Sequence, residues 1–547
     1  MSARAEPRLP RSAWSVAAAL FALSVLRMAP SMDWLDSPNL AASAFLMGVA
    51  HPPGEAGWLI PARLLQLIPV GDLAFRANLL SAAALSLCAL PLAAMLRSLV
   101  ATPPAGAVAA SSGLVLLGFG AQLQGVRTEV YALTLLLLLG AAAACVALTG
   151  RRASAALGLL LGAAATVHPL LAAAATPALL AMRWTRGPVR IVDAPLAIGF
   201  GLVSFAAYAW LPLRALAVPG RSWGVPSTPA AFVDVLLARN FARNFGEGGS
   251  GDGWVDNLST IAGVHADALG VPLLLLAGLG WVLTAGPARR ALAVGIPLWI
   301  AGNAATILPQ NKVFPTNPDL LGYLVVGSAI LGPPAAAALA QGLRGRVARV
   351  PVIAWGLFAF GLAYLLLLQD ADRSHHEPAR RFATEMATHL PPGAILIPSG
   401  NDGAFAWAHL QGVERRRADL VVVPRVLLGH PQEEVRLGGA ARFELETGLA
   451  WSPATQASPT AAAAAARRPL YLEVRDPELD ALHDGRLLPH GLVAGWSGVA
   501  NLHPPPEPPA LRALRRAALN ELAAAAAAGD DEAGLVRALF MDLRGVE

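Results

Sequence analysis

The chain has 547 residues, of which 55% are hydrophobic and only 14% are charged, and its mean hydropathy is +0.53. These values exclude an ordinary soluble globular protein and indicate a polytopic membrane protein. The net charge of +5 would suit nucleic-acid binding, but the arginines lie in short clusters between hydrophobic runs rather than along one basic face, so nucleic acid is not an expected partner.

The hydrophobic runs predict eleven membrane spans, because a helix needs about 20 apolar residues to cross a hydrocarbon core about 30 Å thick. The first is expected to be a retained helix, since no signal-peptide cleavage site follows it. The spans are expected near residues 12–30, 78–97, 105–121, 130–149, 153–167, 169–182, 193–212, 264–285, 291–308, 319–341 and 351–368. The fifth and sixth are short, so they form either a hairpin of tilted helices or one broken helix.

Arginines cluster at alternate ends of these spans, which predicts that those ends and the amino terminus face the cytoplasm. The cytoplasmic clusters lie at residues 4–11, 97, 151–152, 183–190, 289–290 and 344–349. The opposite ends hold the segments 31–77, 122–129, 213–263 and 309–318, the turn at His168, and everything after Leu368. All the notable polar motifs therefore fall on the outer side.

The first outer segment, residues 31–77, contains two apolar stretches that are too short to span. Ser37 or Asp36 can cap a helix that has Pro38 in its first turn. The sequence HPPG at 51–54 ends that helix, and a second short apolar helix follows. We expect both helices to lie along the membrane interface and to shape a surface pocket at the mouth of the bundle.

Asp36 is a candidate catalytic carboxylate, and a helix cap is the alternative. His51 precedes two prolines and is a candidate acid or ligand, with a structural turn residue as the alternative. A straight helix would separate Asp36 from His51 by roughly 20 Å. We therefore expect that the two do not act on the same atom unless the helix breaks.

Arg127 and Glu129 stand at the outer end of a span, where ionisable groups are costly unless they are paired or face water. They are candidates for substrate binding, and a local ion pair between them is the alternative. His168 lies at another outer turn and is a further candidate for substrate binding, although its position alone gives little evidence for that role.

Cationic residues with a tryptophan nearby suit an anionic, sugar-bearing ligand on the outer side. Arg214 near Trp223 can hold a phosphate and a sugar face, although anchoring at the membrane interface is equally natural. Lys312 is the only lysine in the chain and lies in an outer loop, where the positive-inside rule does not explain it. It is a further hint of an anionic ligand.

The composition after residue 368 becomes that of a soluble domain. Strands are predicted within 393–400, 418–428 and 468–476, with a helix at 401–411 and Ala-rich helices such as 509–528. We divide the chain into a transmembrane part, residues 1–370, and an extracytoplasmic α/β domain, residues 371–547.

Several motifs occur in an order that resembles a known family. They are DSPNLAASAFLMGVAHPPG at 36–54, AFRANLLSA at 74–82, QGVRTEVYAL at 124–133, HPLLA at 168–172, LPLRA at 211–215, WGVPST at 223–228 and NPDLLGY at 317–323. The order resembles a bacterial polytopic membrane family of formerly unknown function that is related to a eukaryotic transmembrane protein O-mannosyltransferase. The resemblance covers most of residues 30–330.

This family resembles the GT-C glycosyltransferases, which are multi-span enzymes that use a polyprenyl-phosphate sugar. The resemblance implies a mainly α, polytopic helical bundle in the bacterial inner membrane. It also implies inverting transfer of a sugar, with mannose expected, to a hydroxyl of a protein Ser or Thr, a glycan or a lipid on the outer face. Some GT-C enzymes use a divalent metal and others do not, and this sequence shows no closed ligand set, so a metal is left open.

The resemblance also assigns roles to residues. The family keeps an acidic residue in the first outer loop, and the matching position is Asp36, with Asp33 as the nearby alternative. Asp36 would be the general base, Arg214 with Arg127 or Lys312 would meet the phosphate, and Trp223 would pack on sugar or lipid.

Two positions depart from the family pattern. Asn39 stands where an acidic residue is common three positions after the aspartate, and Glu55 stands where an aromatic residue usually follows HPPG. These departures leave open whether the choice of acceptor, or the activity itself, differs from that of the family.

Two other classes of protein fit the same hydrophobic pattern. A transporter would bury ionisable or discontinuous elements near the bilayer midplane, whereas here the spans are nearly free of charge and the polar groups gather at one face. That arrangement favours chemistry at the surface. A noncatalytic envelope assembly protein would use the outer α/β domain to bind a partner.

Overall fold

The structure, a computed structural model, describes part of the chain at the level of individual residues. The described residues are 9–187, 193–218, 222–239, 253–309, 318–342, 371–398, 401–422, 470–472, 487–490 and 493–496. The chain divides into two units. The first comprises Met1–Pro30, Glu55–Trp210 and Leu236–His376, and the second comprises Ser31–Gly54, Leu211–Val235 and Glu377–Glu547.

The described residues are mainly helical, as the sequence predicts. The helices are α1 (Arg11–Arg27), α2 (Ser37–Leu46), α3 (Ala56–Leu65), α4 (Leu73–Leu87), α5 (Ala89–Leu99), α6 (Ala105–Leu116), α7 (Phe119–Gly125), α8 (Tyr131–Ala147), α9 (Gly150–Val167), α10 (Pro169–Arg186), α11 (Asp193–Phe205), α12 (Trp210–Ala217), α13 (Pro229–Leu236), α14 (Gly253–Leu283), α15 (Pro287–Ile307), α16 (Pro318–Ser328), α17 (Gly332–Gly342), α18 (Pro378–His389) and α19 (Asn401–Gly412). Short 3₁₀ segments, Ala206–Ala209 and Ala329–Leu331, join α11 to α12 and α16 to α17.

Four helical stretches among the described residues are long and apolar enough to cross a membrane. They are Leu73–Leu99, Asp193–Ala217, Pro287–Ile307 and Pro318–Gln341. The bent pair α6 and α7 adds a fifth if it counts as one span. The multi-pass membrane character is confirmed, and the number of eleven spans stays a prediction. The predicted span at 351–368 lies outside the described residues.

The predicted span at 105–121 is interrupted. Helix α6 ends at Leu116, and α7 starts at Phe119 with its axis turned by 85°. Gly118 is extended (φ −61°, ψ 151°), which breaks the helical hydrogen-bond ladder. The Gln122 side chain donates to the carbonyl of Leu116 at 2.6 Å, so the break is stabilised by a polar group that the hydropathy pattern hides.

The two short helices of the first outer segment form where the sequence predicts them. Residues Ser37–Ala44 of α2 are buried, so α2 is enclosed by protein instead of lying along a membrane interface as expected. Helix α3 buries Trp58 and Leu59 but exposes Leu64. Only α3 therefore has the one-sided apolar surface that an interfacial helix needs.

Helices α9 and α10 are separate helices that pack against each other, so the hairpin alternative for the fifth and sixth predicted spans applies. Helix α9 also packs closely against α11. A Cβ atom at Gly158 would overlap the carbonyl oxygen of Ala197, and one at Gly162 would overlap that of Gly201. Small residues four apart on both helices permit this backbone approach, which is a common way for membrane helices to associate.

Replacing Gly158 with Ala should destabilise the protein by about 1–3 kcal/mol, because the added methyl group forces α9 and α11 apart. Gly199 on α11 is the matched control, since a Cβ there meets nothing within 4 Å. Gly199→Ala should be neutral or slightly stabilising. Thermal unfolding of the detergent-solubilised variants measures the difference, and equal stabilities would show that the close contact is dispensable.

The second unit contains a five-stranded sheet. Its strands are β1 (Ile395–Ile397), β2 (Val421–Val422), β3 (Leu470–Leu472), β4 (Leu487–His490) and β5 (Val493–Trp496). They are ordered β2-β1-β3-β5-β4, with β1 parallel to β2 and β3, and β5 antiparallel to β3 and β4. Strands β1 to β3 and helix α19 lie where the sequence predicts them. The predicted helix 509–528 lies outside the described residues, and the domain boundary at 370 stays a prediction.

Candidate functional site

The chain reverses direction directly after α2. Met47 adopts the left-handed conformation (φ 53°) and ends the helix, while the Gly48 amide donates to the carbonyl of Ser43 at 2.9 Å. A tight turn follows, in which the Gly54 amide donates to the carbonyl of His51 at 2.8 Å. Gly54 has φ +87°, and a Cβ there would lie 2.8 Å from Cδ2 of Leu211, so the HPPG motif needs its glycine.

This reversal brings Asp36 and His51 together. Asp36 Oδ2 lies 3.2 Å from His51 Nε2. The separation of roughly 20 Å that a straight helix would impose does not apply, because α2 ends at Leu46 and the exception of a broken helix holds. Asp36 occupies the N-cap position, but its side chain makes no capping hydrogen bond. The carboxylate faces the imidazole instead.

Asp33, the alternative carboxylate, has a different environment. It is 4% exposed, and its Oδ1 accepts a hydrogen bond from the Trp34 amide at 2.8 Å. The Asp36 side chain is 30% exposed. Of the two carboxylates, Asp36 is the one that an incoming hydroxyl can reach.

Asn39 holds His51 in place. Its Oδ1 accepts the backbone N–H of His51 at 3.0 Å and lies 2.9 Å from the ring nitrogen Nδ1. Both residues are buried. The position that departs from the family pattern is therefore a direct partner of the histidine, a contact that the sequence analysis did not predict.

Aromatic rings pack around His51. The Phe405 ring of α19 lies 6.1 Å from the His51 ring and 5.8 Å from the Trp223 ring, measured between centroids. Trp223 is 4% exposed, and its amide donates to the carbonyl of Val49 at 3.1 Å. Trp223 is thus a packed core residue of this unit rather than an exposed anchor. Phe405 is a part of the site that sequence reasoning missed.

Arg214 contacts the same reversal. Its Nε donates a hydrogen bond to the carbonyl of Met47, the residue that ends α2. This bond ties α12 to the turn that returns His51 to Asp36. Lys312, the other expected phosphate contact, lies outside the described residues.

A second cluster of candidate residues lies in the first unit and is centred on Arg127. Its Nη2 lies 3.2 Å from Oε1 of Glu129 and 3.3 Å from Oδ1 of Asp319. The three side chains are 2%, 1% and 28% exposed, respectively. The ion-pair alternative for Arg127 and Glu129 is therefore present, and Asp319 is a third member that the sequence did not indicate. One guanidinium with two carboxylates suits a structural role better than phosphate binding.

The backbone beside this cluster is bound from several helices. The Glu129 carbonyl accepts hydrogen bonds from Trp58 Nε1 and Ser81 Oγ, both at 3.1 Å. Thr128 donates to Asn78 Oδ1 at 2.6 Å, and Asn78 in turn donates to a carbonyl after α1. The segment joining α7 to α8 is thereby fixed to α3 and α4.

His168 has a capping role. Its Nδ1 accepts the Leu171 amide at 3.3 Å and so caps α10. Its ring packs between Tyr131 and Tyr323, at centroid distances of 5.6 and 5.3 Å. These contacts account for its position at the turn between α9 and α10.

One stretch of the sequence matches a protein family, and the fold is similar to solved structures. Residues 36–187 match the family described as the protein O-mannosyl-transferase TMEM260 N-terminal domain. ArnT from Cupriavidus metallidurans bound to undecaprenyl phosphate has a TM-score of 0.56 and 14% identity, over 90% of this chain and 98% of that chain. Apo ArnT from the same organism gives 0.54 and 13%, with the same coverage. The resemblance to the O-mannosyltransferase family is confirmed over residues 36–187, and the fold is similar to that of ArnT.

Proposed function

We propose that this chain, which has a GT-C-like fold and an O-mannosyl-transferase N-terminal domain match, moves a sugar from a polyprenyl-phosphate donor to a hydroxyl acceptor on the extracytoplasmic face. Mannose is the sugar that the family match suggests, and a Ser or Thr of an envelope protein is the acceptor class. The alternation of arginine clusters supports a cytoplasmic amino terminus and an outer C-terminal α/β domain.

The observation that carries the proposal is the partly exposed carboxylate of Asp36, set against His51 at the start of a helix. In the reaction, the acceptor oxygen forms a bond to the anomeric carbon, and the bond from that carbon to the phosphate oxygen breaks. Asp36 takes the hydroxyl proton, and polyprenyl phosphate leaves with the electron pair. Attack from the face opposite the phosphate inverts the anomeric centre.

The remaining residues have supporting roles. Arg214 and Lys312 are the cations assigned to the phosphate, which needs positive charge as it leaves. Trp223 is buried against Phe405, so we assign it to supporting that ring against His51. We assign a structural role to three residues of the first unit, in which they stabilise the packing of its helices: Arg127, Glu129 and His168.

The direct test uses purified protein in lipid nanodiscs with polyprenyl-phosphate [³H]mannose and a Ser/Thr-rich peptide. We expect time-dependent transfer of label to the peptide. Solute uptake without sugar transfer would favour a transporter, and neither activity would favour an envelope assembly protein. Mass spectrometry of envelope proteins and glycans, with and without the chain, identifies the acceptor.

Phe405→Ala should lower turnover by on the order of 10–100-fold, because His51 loses the ring that packs against it and small misplacements of catalytic groups are costly. The KM for the donor should change little. Phe405→Leu keeps most of the apolar volume and should retain more turnover. A folded Phe405→Ala protein with wild-type turnover would show that α19 does not support the Asp36–His51 pair.

A further inference from the structure

We infer that Asn39 is a positioning residue, because its amide oxygen fixes His51 in the form that has a hydrogen on Nδ1. As a result, a further proton is shared between Nε2 of His51 and the carboxylate of Asp36. The inference rests on the proposed function for its catalytic consequence. The proton arrangement itself follows from the hydrogen bonds of the second unit.

The orientation of the Asn39 amide is set by the backbone. The His51 N–H is always a donor, and it lies 3.0 Å from the Asn39 side-chain oxygen. A flipped amide would place an NH₂ group against that N–H. The oxygen therefore faces His51.

The same oxygen then sets the histidine tautomer. It lies 2.9 Å from Nδ1 of His51 and has no hydrogen to donate. Nδ1 must therefore carry a hydrogen to bond with it. In a neutral imidazole with hydrogen on Nδ1, Nε2 has only a lone pair.

That lone pair would face an oxygen of Asp36 at 3.2 Å. A bare carboxylate and a bare nitrogen at this distance repel each other, and the His51 side chain is only 9% exposed, so water screens the repulsion little. A proton between the two atoms removes the repulsion. The pair is then either imidazolium with carboxylate or imidazole with carboxylic acid, and its net charge is zero in both forms.

This arrangement has a consequence for charge during transfer. Starting from the imidazolium–carboxylate form, the Asp36 carboxylate takes the acceptor proton, and the Asp36–His51 pair changes from neutral to a charge of plus one. The phosphate, as its bond to the sugar breaks, changes from a diester with one negative charge to a monoester that gains a second. The two changes are opposite in sign, so the pair stabilises the departing phosphate as well as accepting the proton.

The test compares Asn39→Leu with Asn39→Asp in the full-length protein. Leu has the same branched arrangement of four side-chain heavy atoms as Asn but accepts no hydrogen bond, so turnover should fall by on the order of 100-fold with little change in the donor KM. Asp provides an oxygen at the same place and should retain most of the turnover. Wild-type turnover in a folded Asn39→Leu protein would overturn the inference.

A spectroscopic measurement tests the position of the hydrogen on Nδ1 directly, and a protonated Nε2 signal beside it in the wild type would report the additional proton shared with Asp36. In protein labelled with [¹⁵N]histidine, with His51 assigned by its loss in His51→Gln, the Nδ1 signal of the wild type should be that of a protonated nitrogen. In Asn39→Leu the hydrogen should move to Nε2, facing Asp36. An unprotonated Nδ1 in the wild type would overturn the inference. If the wild type transfers no sugar, the proposed function fails, and this signal still decides the role of Asn39.

Discussion

Replacing Asp36 with Asn should reduce sugar transfer by about 10²–10⁴-fold while leaving the protein folded, because the variant keeps the shape of the side chain and loses the proton acceptor. The Asn amide can donate to Nε2 of His51, so the contact at 3.2 Å has a substitute hydrogen bond. Initial rates with the labelled donor measure the loss. Thermal unfolding in detergent shows whether the fold is intact.

Asp33→Asn is the matched control for this prediction. The Asp33 side chain accepts a backbone N–H, and an amide oxygen accepts it equally well. The control should therefore retain most of the transfer activity. Full activity in Asp36→Asn would remove the proposed base, and loss of activity in Asp33→Asn alone would transfer the assignment to Asp33.

Replacing Arg127 with Leu should destabilise the first unit strongly, with an expected loss of about 3–5 kcal/mol. The substitution leaves Glu129, whose side chain is 1% exposed, with a buried charge and without its cation. We expect the variant to unfold at much lower temperature or to be degraded in the membrane. Thermal unfolding and resistance to trypsin in detergent measure the effect.

Asp319→Asn separates charge from packing in this cluster. Asp319 is 28% exposed, and Glu129 remains to balance Arg127, so the cost should be only about 0–1 kcal/mol. If Arg127→Leu is as stable as the wild type, the cluster does not hold the segment between α7 and α8. Arg127 would then be available for a role in binding the donor.

Much of the fold follows from local sequence patterns. Apolar run lengths predict where the long helices lie, and short β-branched stretches predict β1 and β2. The break between α6 and α7 is not predicted by run length, because it arises from the extended conformation of Gly118 and a side-chain hydrogen bond from Gln122 inside an apolar run.

Less of the candidate site than of the fold could be predicted from the sequence. Asp36 could be named from its place in the first outer segment, but its pairing with His51 depends on the left-handed conformation of Met47. Methionine is a good helix former, so its type gives no signal of such a turn. A weak signal was present in the spacing of Asp36 and Asn39, since residues three apart share one face of a helix.

Long-range partners are hidden for a different reason. Asp319 lies 192 residues from Arg127 along the chain, and nothing local to either residue identifies the other. Phe405 likewise lies on α19, far from His51 in sequence. Such pairs depend on tertiary packing, which periodicity and spacing in a single sequence do not encode.

The packing of Phe405 on His51 has a consequence for biosynthesis. The ribosome completes every helix from α1 to α17 before it reaches α19. Nascent protein in the membrane therefore has its aspartate and histidine long before the ring that supports them. A message truncated just upstream of α19 would yield a polypeptide in which His51 lacks this ring, so the proposed site would be complete only after α19 has been translated.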